Sequence, residues 1–131
     1  MKIKKGTTRI VFILNKVVIK IPNFTYKWSH FLRGIIGNIS EWQTWKYAYR
    51  RRYLLCPVIW ASWGGWFLIM KKANMIHNKD WDMYEPEILE HKQYYCGDDK
   101  SENYGIYMGQ IVKIDYADLD ENWGEDFKNK L

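Results

Sequence analysis

Apolar and polar positions along this chain change period several times, and each change marks an element. Thr8 to Leu14 is β-rich, and Val17-Val18-Ile19-Lys20-Ile21 is β-branched until Pro22 stops it. With Asn15-Lys16 as a tight turn, the two runs predict an antiparallel hairpin, with a candidate strand at Lys2 to Lys5 before it. From about Thr25 to Arg52 the period turns helical, and Gly34 and Gly37 interrupt it. A short helix to about Arg33 and a longer one from about Asn38 are expected, with Asn38 or Ser40 as cap. Glu41 then falls in the first turn, where the helix dipole favours a carboxylate. Ile39, Trp42, Trp45, Tyr49 and Tyr53 follow at three- and four-residue steps, which makes one aromatic face.

Past Pro57, Val58–Ser62 and Trp66–Met70 predict a second strand pair about a Trp63-Gly64-Gly65 turn. Asn74 to Tyr84 reads as a loop or short helical piece, and Pro86 to Tyr95 as a helix. Tyr104–Met108 and Ile111–Ile114 predict a third strand pair about Gly109-Gln110. Hairpin, helix, hairpin, helix, loop, hairpin is an α+β order with antiparallel strands. Residues 118–131 form a polar, acidic tail with Trp123 and Phe127 as anchors.

The length of 131 residues suits one domain. The apolar run from Leu54 to Met70 is broken by Pro57, Ser62, Gly64 and Gly65, so no membrane span is expected. Basic residues at the N-terminus lack a following apolar stretch, which points to the cytoplasm. Cys56 and Cys96 stand forty positions apart without a CxxC, as two free thiols, and His30, His77 and His91 are scattered. The eight tryptophans are expected mostly in the core, with Trp60, Trp63 and Trp66 as candidates for a binding or homodimer surface. Arg50-Arg51-Arg52 beside Tyr49 and Tyr53 lacks any nucleic-acid fold signature and reads as a solvated helix end.

Charge changes the picture more. Residues 1–72 carry fourteen Lys or Arg against Glu41 alone, +13, while residues 73–131 carry six Lys and fourteen acids, −8, which together give +5. A basic face suits phosphates or an anionic partner, and an acidic face suits metal ions or a basic partner. Two solvated faces attracting each other are the simpler alternative. Lys20, at the end of an apolar strand, is either an edge-strand gatekeeper or a charge held in a cleft.

Asp98-Asp99-Lys100-Ser101-Glu102-Asn103, followed by a strand pair ending at Asp115-Tyr116-Ala117, has the form Asp-x-Lys-x-x-Asn, hairpin, Asp. Val17-Val18-Ile19-Lys20 resembles the Val-Ala-Ile-Lys strand of protein kinases, and Glu41 follows twenty-one residues later on the next helix. The chain thus resembles a miniature protein-kinase-like protein over about Gly6 to Ala117, with Asn38-Ile39-Ser40-Glu41-Trp42 and Leu55-Cys56-Pro57-Val58 similar to short kinase-fold proteins of bacteriophages. The resemblance implies a truncated kinase-like fold, with an antiparallel N-lobe sheet and C-helix in residues 1–72 and a reduced C-lobe carrying the catalytic-loop hairpin in 73–117. It implies ATP and Mg²⁺ as cofactors. Lys20 and Glu41 would serve the phosphates, Asp98 would be the base and Lys100 its catalytic-loop neighbour. Asn103 and Asp115 would ligate metal, and backbone from Met70 to Lys72 would meet adenine.

The chain departs from that pattern in four places. Gly6-Thr7-Thr8-Arg9 has one glycine where the phosphate loop has three, with Thr7, Thr8 and Arg9 as side-chain donors in their stead. Cys96-Gly97-Asp98 replaces His-Arg-Asp and is closer to the His-Gly-Asp of aminoglycoside and choline kinases. Ala117 replaces a glycine. About twenty-five residues separate Met70 from Asp98 and fourteen follow Ala117, so the substrate-binding helices are missing. An ATP-dependent phosphotransferase acting on a protein or small-molecule hydroxyl is therefore expected; the alternative is an inactive pseudokinase-like module, viral in origin, that binds a host protein in the host cytoplasm.

Overall fold

The computed structural model describes residues 1–48, 52–94 and 103–116. The chain is α+β. Strands β1 (Lys2–Lys5), β2 (Arg9–Ile13), β3 (Val17–Pro22), β4 (Val58–Ala61) and β5 (Leu68–Lys71) form an antiparallel sheet in the order β1-β2-β3-β5-β4. Helix α1 (Trp28–Tyr47) crosses it. A second sheet, β6-β7-β8, consists of Asn74–Met75, Tyr104–Tyr107 and Gln110–Lys113, and helix α2 (Glu85–Tyr94) precedes β7. Among the described residues no helix is long and apolar enough to cross a membrane.

The β-branched run does become β3, and it lies centrally, because β5 returns some fifty positions later to pair with its free side, Lys20 opposite Leu68. Lys20 is therefore no edge gatekeeper. The tight two-residue β7–β8 turn is Met108-Gly109, one position earlier than expected, with φ of 51° and 79°. Positive φ at both central residues matches the twist of a hairpin, and glycine takes it without strain.

The expected break at Gly34 and Gly37 does not occur, and α1 is one helix of twenty residues. Glycine normally costs a helix about 1 kcal/mol relative to alanine. Here contact with the sheet requires it: a Cβ on Gly34 would lie 2.2 Å from the Thr8 carbonyl oxygen and 2.9 Å from Pro22 Cα. Gly34 lets the helix lie directly on the β2–β3 corner.

The larger apolar core joins the two sheets. Leu54, Leu55, Cys56, Val58, Leu68 and Met70 meet Val112 and Tyr116, with Trp42 and Trp45 packed against them. A smaller one gathers Ile76 and Ile88 with Tyr104 and Ile111. The tryptophans do not fill these cores as expected. Trp28, Trp60, Trp63 and Trp66 are exposed, and Trp42, Trp45 and Trp81 are half-buried. Their volume lies on the rim because the interior of α1's contact is occupied by polar groups.

Candidate functional site

Those polar groups start with Lys20. Its strand position turns the side chain under α1, where it is 7% exposed, and Nζ donates to Glu41 Oε1 and Oε2 at 3.1 and 3.0 Å and to the Ile114 carbonyl at 2.8 Å. An ammonium has three protons, and all three have acceptors. A lysine this deep is retained only when paired, since desolvating an isolated charge costs several kcal/mol.

Glu41 lies well inside α1, not in its first turn, and is fully buried. The helix dipole therefore does not account for it. Its Oε1 accepts from Arg9 Nη2 at 2.8 Å and from the Tyr116 backbone N–H at 3.3 Å, besides Lys20. Asn38, expected as a cap, is one turn earlier on the same buried face. Its Nδ2 donates to the carbonyls of Lys20 (3.1 Å) and Gly65 (2.9 Å), and its Oδ1 accepts from Arg9 Nη1 at 3.2 Å. One amide thereby joins the strand, the helix and the Trp63–Gly65 turn. The N-cap position of α1 is Lys27, eleven and thirteen positions upstream of Asn38 and Ser40, and its side chain makes no capping hydrogen bond.

Arg9 does not serve the β1–β2 loop as expected. Alternation along β2 sends it inward, and its Nη2 also reaches Asp115 Oδ1 at 3.0 Å, joining the basic half of the chain to the acidic half. Asp115 follows β8, and its side chain is 51% exposed. Across the same hairpin end, the Ile114 N–H donates to the Asn103 carbonyl at 2.8 Å, which places Asn103 one rung from Asp115. Tyr116, next along, is fully buried, and its hydroxyl donates to the Cys56 carbonyl at 2.9 Å. Lys20, Glu41 and Asp115 thus belong to one hydrogen-bonded cluster, with Arg9 as the connecting cation.

The remaining candidates are placed differently. Gly6 is in the β1–β2 loop with its N–H donated to the Arg9 carbonyl at 2.9 Å, and Asn23 Nδ2 holds the Gly6 carbonyl at 2.7 Å. The loop is fixed by its own chain and by Asn23, a residue the sequence did not single out. Met70 is buried in β5. The N–H groups of Lys71 and Lys72 are donated to the carbonyls of Pro57 and Lys16. Asp98 and Lys100 lie outside the described residues, as do Cys96 and the 118–131 tail.

Cys56, the other nearby titratable group, is buried and donates its thiol to the Lys71 carbonyl. Burial pushes the thiol up to about 11; the Lys20 charge pulls it down and Glu41 adds to the rise. It is an inert core thiol, not a nucleophile.

At the hairpin end Asp115 offers a half-exposed carboxylate, the type of oxygen donor a hard divalent ion that keeps most of its water takes, and Asn103 is its backbone neighbour across the strand pair. Among the described residues no three His, Cys, Asp or Glu side chains converge. Two grooves of about 460 Å³ are present, one lined by Phe24, Tyr26, Trp28, Phe31 and Trp66, the other between α1 and the Trp63–Gly65 turn, where Asn38 is part of its wall. Neither reaches Lys20. No protein-family model matches the chain, and no curated protein matches its sequence.

Proposed function

We propose that the cluster is the phosphate end of a nucleotide site and that the chain is a minimal kinase-like phosphotransferase using ATP and Mg²⁺. The observation that carries this reading is the buried Lys20–Glu41 pair, joined through Arg9 to Asp115 at the end of the hairpin that follows Asp98 to Asn103. Phosphoryl transfer asks a protein for fixed cations, oriented donors and a positioned base more than for covalent chemistry. Lys20 would exchange its Ile114 carbonyl for a phosphate oxygen, while Glu41 holds it in place. Asn103 and Asp115 would hold the metal, which when bound neutralises the phosphate oxygens. Asp98 would take the proton of the attacking hydroxyl, and Lys100 would face the transferred group. Because the Lys71 and Lys72 amides and the Lys71 carbonyl are engaged, adenine recognition would fall to the Lys72 carbonyl and to the residue after it.

Mg-ATP should raise the melting temperature of the full chain, and Asp98→Asn should abolish transfer of labelled phosphate while leaving that shift intact. No shift at millimolar nucleotide would sink the reading.

A second reading is favoured by the outer surface. Phe24, Tyr26, Trp28, Ile36 and Trp63 are 60–91% exposed, beside basic Lys27, and exposed apolar patches commonly mark partner surfaces. On it the chain is an inactive module that binds a host protein. Retention of the full biological effect by an Asp98→Ala/Asp115→Ala double variant would favour that reading.

A further inference from the structure

Arg9 is the member of the cluster to which phosphoryl transfer gives no task. Its guanidinium touches three side chains at once, Asn38 and Glu41 on α1 and Asp115 after β8, at 3.2, 2.8 and 3.0 Å. Its side chain is 9% exposed, whereas that of Asp115 is 51% exposed. A cation fixed on the dry side therefore holds a carboxylate that also faces water. The charges of Lys20, Arg9, Glu41 and Asp115 cancel. Any divalent ion arriving at Asp115 meets a carboxylate already neutralised and a guanidinium that repels it at close range.

We propose that Arg9 is a built-in counter-cation that competes with a divalent metal for Asp115, so that metal is accepted there only as Arg9 releases Asp115 Oδ1. Glu41 and Asn38 retain the guanidinium when it does, so release needs no rearrangement of β2. A metal without a polyphosphate is then held weakly, because its charge has no counterpart. With a polyphosphate the added anion balances both cations. The identity of that anion and the role of Asp115 as a metal ligand rest on the nucleotide reading above, whereas the pairing that a metal must displace is the Arg9–Asp115 contact itself.

The test is Mn²⁺ binding to the full chain without nucleotide, followed by the electron-paramagnetic signal of the free ion. Arg9→Gln deletes the charge and keeps a polar amide, though one too short to make the Nη contacts with Glu41 and Asn38. It should bind Mn²⁺ about tenfold more tightly than wild type, the scale of one repulsion and one partly exposed ion pair removed. Arg9→Lys, which keeps the charge, should stay near wild type. Adding Asp115→Asn to Arg9→Gln should erase the gain. Equal affinities in wild type and Arg9→Gln, or a gain that survives Asp115→Asn, would overturn the proposal. Should Arg9→Gln fail to fold, Mg²⁺ titration of wild type decides: the Arg9 side-chain ¹⁵N and Asp115 carboxylate ¹³C signals should move together. Movement of Asp115 alone, or of neither, would overturn it. Failure of ATP to bind, with the Mn²⁺ results as expected, would remove the nucleotide reading and leave the competition standing.

Discussion

The two faces of α1 are inverted relative to an ordinary amphipathic helix. The face on the sheet carries Gly34, Gly37, Asn38, Glu41 and Thr44, all buried. The opposite face carries Trp28, Leu32 and Ile36 at 70, 42 and 63% exposure. A surface helix usually buries its apolar stripe, because removing it from water is the main source of its stability. Here the centre of the inner face is held by hydrogen bonds and ion pairs that satisfy one another, while Trp42 and Trp45 meet the apolar core beside them. Polar burial of that kind adds little net stability compared with apolar packing, yet losing one partner is severe. The contrast is what a site looks like when position matters more than cohesion.

The largest break in that contrast should come from Glu41→Ala. It strands Lys20 and Arg9 together in the interior and should cost about 3–5 kcal/mol, read by urea unfolding. A loss below about 1 kcal/mol would mean that water reaches the cluster. Next is pH. The Cys56 thiol is raised from 9.0 to about 11 in the folded chain, so between those values the unfolded state releases a proton that the folded state keeps. Its contribution, about 2–3 kcal/mol, is present in full below pH 9 and lost as pH climbs to 11. Unfolding free energy measured across that window should fall more steeply for wild type than for Cys56→Ala.

Gly34→Ala sharpens the comparison by sign. Helix propensity alone gives a gain of about 1 kcal/mol. The Thr8 carbonyl at 2.2 Å from the new Cβ makes it a loss of about 1–3 kcal/mol, since backbone must shift. A stabilised variant would show that the helix can lift from the sheet at no cost. The smallest effect belongs to the outer face: Trp28→Lys and Ile36→Lys should change stability by less than about 0.5 kcal/mol each. A loss of the size expected at Glu41 would mean that the outer face is covered in solution.

Local features of the fold were legible in sequence, and long-range ones were not. Val17 to Ile21 announced its strand because β-branching acts residue by residue. The centrality of β3 depended on a partner strand some fifty positions away, so Lys20 looked equally like an edge residue. Gly34 read as a break because its reason is a carbonyl on another strand. Asn38 read as a cap because a helical amide is usually explained locally. Arg9 was grouped with the loop beside it, though strict alternation from Ile10, Phe12 and their partners would have sent it to the face of Lys20. The two-residue β6 strand offered no periodicity to detect.

The Arg9–Asp115 bond also has a consequence for assembly in time. It closes a span of 106 residues, against 21 for Lys20 and Glu41. On a chain emerging from the ribosome, the shorter loop can close first, at lower entropic cost, as α1 settles on β3. Until the last hairpin arrives, Glu41 faces two cations and the cluster carries a surplus positive charge. Asp115, synthesised long after Lys20, Arg9 and Glu41, discharges it. The nascent N-terminal half is thus an unfinished electrostatic circuit, held open for its own C-terminal strand.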